Sequence, residues 1–376
     1  MNGPLYSSRR TFLGQAGLAA TLGACSQPAP EQETTSSNRP RIRIGTRVNA
    51  NWLKSEDDVD LRFLKQIGVD YVDIVLSMVE GYNETGSFTR DAFRRLTDRL
   101  RRVGLRIERA NSLGPHYLDA HLGRPGGQKQ IDNLKRIGEI LAEFEIPVYG
   151  IQACQAALHL DYRRTGWSRP RGRGGYEYYS FDLEKSKAAT PPRYRVSSQQ
   201  LWDGLLNIYR QVIPVVDGSR TRVAMHGNDP PLYEYLGNPQ ILCRFKDFDR
   251  LFSEVPSPNN GITFCVGTRY ESGEDVLKGI RHFGSHGKLF HVHFRNVRGT
   301  LPANGGYSEV AVDEGDMEME KVLRTLAEVN YDGVIDYDHA MGITGDEPLP
   351  KQYIAFAVGY MRGLLHSIPG QRRARS

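Results

Sequence analysis

Eight times between Ile42 and His366, a short run of β-branched or aromatic residues gives way to a segment with apolar residues at helical spacing. The runs are Ile42–Val48, Val69–Leu76, Leu105–Ser112, Pro147–Ala153, Val223–Gly227, Ile262–Thr268, Leu289–Asn296 and Val334–Ala340. Helical spacing follows at Asp57–Gln66, Asp91–Val103, Gln128–Phe144, Ser198–Val215, Pro239–Phe252, Glu274–His282, Met317–Val329 and Lys351–His366. Alternating strand–helix units build parallel sheets, because a right-handed crossover brings the chain back beside its previous strand. Eight units is the count of a closed (β/α)8 TIM barrel. The rival is an open doubly wound sheet, and no Gly-rich phosphate fingerprint follows the first strand to support it.

The ends of the chain stand outside this pattern. Ser8-Arg9-Arg10-Thr11-Phe12-Leu13 matches a twin-arginine export signal, and the apolar stretch Leu13–Ala24 behind it is too short to span a bilayer permanently. It ends in Leu22-Gly23-Ala24-Cys25, a lipoprotein-type box that makes Cys25 the candidate for lipid attachment. The expected layout is a signal peptide over 1–25, a disordered Pro/Gln/Glu/Ser/Thr linker over 26–40, a barrel over 41–368 and a basic tail over 369–376. Localisation follows: export by the twin-arginine route to the periplasm, or to a membrane as a lipoprotein. The net charge of +5 owes much to Arg9, Arg10, Arg372, Arg373 and Arg375 at the ends, so no nucleic-acid footprint is expected. Cys154, Cys243 and Cys265 have no framework spacing and build no disulfide scaffold.

Four consecutive runs of the second half each bring a metal-binding side chain to or near their ends: His226, Cys265, His293 and Asp338. In a parallel barrel those ends open onto one mouth. Two imidazoles, a thiolate and a carboxylate suit zinc, manganese or iron better than magnesium or calcium. His291, two residues before His293, shares its strand face but lies deeper, as a supporting residue. His339 follows Asp338 directly, so its side chain alternates away unless the strand has already ended.

A long insertion, Gln155 to Ser197, leaves the same face after strand four. It carries five arginines from Arg163 to Arg173, among them Arg171 and Arg173, which suit an anionic substrate. Trp167, Tyr176, Tyr178 and Tyr179 point to a packed lid.

His226 with Asp229-Pro230-Pro231, Cys265 with Gly267, His293-Phe294-Arg295-Asn296, Gly315-Asp316 with Met319, and Asp338-His339 together resemble the mannonate dehydratases. These are sugar-acid lyases of the xylose-isomerase-like barrel superfamily. The resemblance runs from Ile42 to Leu365 and is weaker in the first half. It implies a divalent metal held by His226, Cys265, His293 and Asp338, manganese first, with iron or zinc as alternatives. It also implies a catalytic histidine at His339 and a tyrosine from the following segment, for which Tyr353 is the nearest match. Arg295, Asn296 and Asn228, with Arg171 and Arg173, are the candidates for substrate binding. Two departures stand out. The family's His-Pro-Asp-Asp-Pro-Pro is His226-Gly227-Asn228-Asp229-Pro230-Pro231 here, and its Arg-Pro-Asp-His-Gly is Asp336-Tyr337-Asp338-His339-Ala340. The second exchanges an arginine for a carboxylate.

The implied activity is metal-dependent dehydration of a sugar acid, D-mannonate to 2-keto-3-deoxy-D-gluconate, by a homo-oligomer acting on a small molecule. The alternatives are a sugar isomerase or epimerase on the same metal barrel, and a non-catalytic exported lipoprotein that binds sugar acids.

Overall fold

The computed structural model describes residues 42–152, 165–187, 195–346 and 348–371, and in it eight parallel strands close into a barrel. They are β1 (Arg43–Arg47), β2 (Tyr71–Val75), β3 (Arg106–Asn111), β4 (Val148–Gly150), β5 (Arg222–His226), β6 (Asn260–Cys265), β7 (Leu289–His293) and β8 (Val334–Asp336). Spatial order follows chain order, and β8 closes on β1 through Arg43↔Val334 and Ile44↔Ile335. The outer helices are α1 (Val59–Gln66), α2 (Arg90–Arg102), α3 (Gly127–Glu143), α4 (Ser198–Val216), α5 (Phe245–Glu254), α6 (Val276–Ser285), α7 (Met319–Glu328) and α8 (Lys351–Ser367). The expected signal peptide with Cys25, the linker, and Cys154, Arg163, Arg164, Arg372, Arg373 and Arg375 lie outside the described residues. No helix among the described residues is long and apolar enough to cross a membrane.

Helix α2 shows how the outer layer is held. The Thr89 side chain caps it by accepting from the Ala92 N–H at 3.2 Å. Phe93, Leu96, Thr97 and Leu100 then bury one stripe, while Arg94, Arg95, Arg101 and Arg102 face water. Each large apolar side chain in that stripe contributes about 1.5–3 kcal/mol relative to exposure, so packing rather than propensity fixes the helix. With helices outside and side chains filling the inside, β6 and β7 are buried along their whole length. A charge within such a strand has no solvated face and must find partners in the barrel interior.

Two strand ends differ from expectation. Strand β6 stops at Cys265, whose Sγ accepts from the Thr268 N–H at 3.4 Å and caps the short helix Val266–Glu271. Strand β8 stops at Asp336 instead of running to Ala340, because Asp338 takes a left-handed conformation (φ 63°) that breaks the alternation. The Asp338 N–H donates to Asp336 Oδ1 at 2.9 Å, holding that turn.

The insertion is packed in its described part. Trp167–Ser168 and Tyr179–Asp182 form an antiparallel sheet with Gly306–Glu309 from the loop after β7, with Glu309 opposite Tyr179. Phe181, Tyr235, Leu301 and Tyr307 close an apolar cluster under it, with Trp167 packed alongside. Backbone bonds in both directions between Glu177 and Gly342, each 2.9 Å, join it to the loop after β8.

Candidate metal and proton-transfer site

His226, Cys265 and His293 end β5, β6 and β7, and Asp338 stands two residues past β8. One donor atom from each lies within 4.8 Å of the others. Cys265, His293 and Asp338 are buried and His226 is half-buried. His226 Nδ1 lies 2.6 Å from the Gly227 carbonyl, which can only accept, so Nδ1 carries the proton and Nε2 keeps its lone pair. Burial holds His226 down at about 4 and His293 well below the ordinary imidazole range, with the Asp338 carboxylate pulling both the other way. Both rings are therefore neutral, as metal ligands must be. Burial opposes the charge on Asp338, yet His293, His339, Arg295 and Arg47 hold it well below the usual carboxylate range. Burial pushes the Cys265 thiol up, against the pull of Arg295, so a thiolate there needs a cation beside it. His293 Nδ1 makes no hydrogen bond among the described residues but lies 3.3 Å from Asp338 Oδ1, so two of the four donors already face each other. This donor set fits a divalent transition ion.

Behind the donors Arg295, 1 % exposed, is caged by acids. Its Nη1 reaches Asp229 at 2.9 Å, Asp338 at 3.2 Å and Glu309 at 3.3 Å, while Nη2 reaches Glu271 at 2.8 Å and Thr268 Oγ1 at 2.9 Å. Burial pushes the Glu271 carboxyl well above its ordinary range, against the pull of Arg295, with Asp229 and Glu309 adding to the rise. A Cβ on Gly267 would come 2.4 Å from Arg295 Nε, which explains the glycine two residues after Cys265. Arg295 is thus a framework cation whose terminal nitrogens are bound to protein, and it is not free to grip substrate as expected.

Because Asp338 is left-handed, His339 turns into the same space as its neighbour. Glu309, fully buried, bonds to His339 Nδ1, and His339 Nε2 lies 3.7 Å from Asp338 Oδ1. An acid on one ring nitrogen fixes the tautomer and presents the other nitrogen for proton exchange. The Tyr179 ring centroid is 6.1 Å from that of His339, and Arg169 lies 4.6 Å over the Tyr179 ring.

Other sequence candidates stand elsewhere. Asn296 spends its amide on the backbone, donating to Val312 O and Met317 O and accepting from Val297 N and Met317 N, so it holds a loop. Asn228 is buried with its amide 3.8 Å from Cys243 Sγ. Arg171 pairs with Glu177 at 3.8 Å and Arg173 with Asp313 at 2.7 Å, both on the exposed rim rather than against the four donors. Tyr353 is buried in the wall, its ring 5.7 Å from that of Tyr337 and its hydroxyl bonded to the Val312 backbone. His291 Nε2 lies 3.0 Å from Asp336 Oδ2, below the donors, which matches the supporting place expected of it.

Strands β1–β3 supply a polar wall that the sequence pattern does not single out. Asp73 Oδ2 accepts from Arg109 Nη1 at 3.0 Å and Arg47 Nε at 3.3 Å, and Asn111 Nδ2 donates to Asp73 Oδ1. Arg47 Nη2 reaches Asp338 Oδ1 at 3.6 Å, and Arg109 Nη1 lies 3.0 Å from His293 Nε2. A cavity of about 410 Å³ opens at this mouth, with Arg47, Trp52, Met78, Tyr337 and Asp338 among its walls. A larger one, about 1120 Å³, lies at the opposite end against Arg43, Glu108 and Arg222, away from the donors.

A closed parallel barrel with donors and a buried acid–imidazole pair at its C-terminal mouth defines a (β/α)8 enzyme of the metal-site type. A profile described as D-mannonate dehydratase (UxuA) matches residues 182–375, just over half of the chain. The chain belongs to this family and is a sugar-acid dehydratase, a hydro-lyase. It is 26% identical over 346 residues to mannonate dehydratase 2 of Halalkalibacterium halodurans, covering 86% of this chain and 99% of that one. Among solved structures, the mannonate dehydratase from Streptococcus suis serotype 2 superposes with a TM-score of 0.74 at 22% identity, over 90% of this chain and 98% of that one. A xylose isomerase domain protein from Planctomyces limnophilus superposes with a TM-score of 0.53 at 14% identity, over 88% and 98%, which gives the fold its xylose-isomerase-like type.

Proposed function

We propose that the chain converts D-mannonate to 2-keto-3-deoxy-D-gluconate and water with a resident divalent ion, manganese first, held by His226, Cys265, His293 and Asp338. The observation that carries this reading is the Glu309–His339 contact beside those four donors, which pairs a positioned imidazole with a ligand set in one mouth. The C2 proton next to the carboxylate and the C3 hydroxyl leave together as water, and the enol that remains tautomerises to the 2-keto acid. A divalent cation supplies positive charge against the negative charge that builds beside the carboxylate as the C2 proton leaves. His339 exchanges the proton through Nε2, with Glu309 stabilising the charged ring. Arg295 keeps Asp338 ionised and in place. Tyr353, the family-matched tyrosine, is buried in the wall, and Tyr179 is the tyrosine whose ring lies beside His339 on the lid side.

The test is a screen of metal-depleted protein reloaded with Mn²⁺ against D-mannonate and other aldonic and uronic acids. The expected result is a 2-keto-3-deoxy product, with loss of one water by mass spectrometry. A product of unchanged formula would replace this reading with isomerisation or epimerisation.

The sequence of the first 25 residues supports export by the twin-arginine route, with the chain periplasmic or anchored through Cys25. That route carries folded proteins, so the ion would be loaded before export, away from competing copper and zinc. Arg9→Lys with Arg10→Lys should leave metal-loaded precursor in the cytoplasm; undiminished export of that variant would refute the route.

A further inference from the structure

We propose that Arg109, held by Asp73 and seconded by Arg47, is the receptor for the substrate's carboxylate, and that occupation of the metal site releases it for that task. The inference rests on the sugar-acid reading above and assigns the recognition of the acid to the half of the barrel that the family profile does not reach.

Arg109 is fully buried, yet only Nη1 of its guanidinium is engaged; Nε and Nη2 have no hydrogen-bond partner among the described residues. Leaving buried donors of a permanent cation unsatisfied is costly, and the cost is recovered when a planar anion takes two of them at once. Its depth matches that of the donors, for Cys265 and His293 are each 2 % exposed. The neighbouring Asn111 Oδ1 is also buried without a hydrogen-bond partner among the described residues, packed so close to Gly150 that a Cβ there would fall 1.9 Å from it. Arg47 and Arg109 share the carboxylate of Asp73, and the second acid that Arg47 reaches, Asp338 at 3.6 Å, is already paired with Arg295. Asp336 cannot receive an acid, because it is itself a carboxylate, bonded to His291 and to the Asp338 N–H.

The contact with His293 supplies the switch. A guanidinium only donates, so Arg109 Nη1 rests on the Nε2 lone pair of His293. If Nε2 takes a cation, Arg109 is displaced directly. If Nδ1 takes it, the neutral ring carries its proton on Nε2, where it meets another donor. Either way Arg109 gives up His293, and a further N–H is left for an anion to take. Arg109 therefore opposes the cation and favours the acid, two effects of opposite sign.

The experiment is calorimetric titration of wild type, Arg109→Gln and Arg109→Lys, first metal-depleted with Mn²⁺, then Mn²⁺-loaded with D-mannonate, D-gluconate and uncharged D-mannitol. Arg109→Gln should bind Mn²⁺ about two- to tenfold more tightly, and the sugar acids roughly ten- to hundredfold more weakly. D-Mannitol binding should be unchanged. Arg109→Lys keeps the charge without the fork, so it should lose sugar-acid affinity while its Mn²⁺ affinity stays within about twofold; it carries the test should the Gln variant not fold. Parallel loss of both affinities, or sugar-acid binding equal to wild type, overturns the proposal. Wild type that binds neither acid better than D-mannitol overturns it together with the sugar-acid reading, whereas acid binding undiminished in the variants overturns Arg109 alone.

Discussion

The two halves of this barrel have the same architecture and opposite chemistry. From β5 to β8 the strand ends present two imidazoles, a thiol and a carboxylate, and one guanidinium, Arg295, stands among four acids. From β1 to β3 the arrangement is reversed, with two guanidiniums on one acid, Asp73. The acid-rich half is suited to a cation and to proton exchange; the base-rich half is suited to an anion. The family profile covers the first of these and begins after β4. With Arg109 as receptor for the acid, reaction type is carried by one half and recognition of the acid by the other.

The strongest blow to the reactive half is His339→Asn. Turnover should fall about 10²- to 10⁴-fold with bound metal unchanged, read by steady-state kinetics and metal analysis; wild-type rates would return His339 to a structural role. In the other half Asp73→Asn loosens the hold on Arg47 and Arg109. KM for the sugar acid should rise about five- to tenfold with kcat within about twofold, and a fall in kcat at constant KM would erase the division of labour.

Acid should act on the metal-free protein through its buried imidazoles. Burial holds His121 and His226 at about 4 and His293 well below the ordinary imidazole range, against about 6.5 in an unfolded chain. Between those values the unfolded chain binds more protons, so stability is full above about pH 6.5 and declines as pH falls toward 4. Melting temperatures measured without metal should drop over that window; Mn²⁺ should raise them throughout, with a drop at least as steep, since the unfolded chain takes up protons that the metal-bound rings cannot. A flat profile would mean that these rings take up protons equally in the folded and the unfolded chain. The smallest effect belongs to Arg173→Ala, which removes an exposed pair with Asp313. KM and melting temperature should stay near wild type, and a large rise in KM would return the rim arginines to substrate binding.

The eight strand–helix units and the four donors are legible in the sequence because their signals are local: an apolar run, a polar residue at its end, a helix after it. The polar wall of β1–β3 is local too, but its signal reads differently. Asp73, Arg109 and Asn111 lie among apolar neighbours in a way that resembles a solvated strand face, whereas a strand buried on both sides has none. Glu309 and Tyr179 come from loops far apart in the chain, and only their pairing brings them to His339. Asn296 and Tyr353 show the converse limit, because spacing along the chain places a residue near a site without deciding which way it points. For His339, the left-handed turn at Asp338 settled what strand alternation left open.

The antiparallel pairing of Tyr179 with Glu309 has a consequence for how the imidazole is gripped. The two residues sit directly opposite each other, one behind the His339 ring edge and the other bonded to its Nδ1, so a single cross-strand rung holds the ring from both sides. Side chains alternate between the faces of a strand, so a slip of one residue between these two segments would turn both away together. The imidazole's orientation is thereby tied to the alignment of two short strands that belong to neither half of the barrel, and any insertion or deletion in either would be felt first as a change in acid–base chemistry.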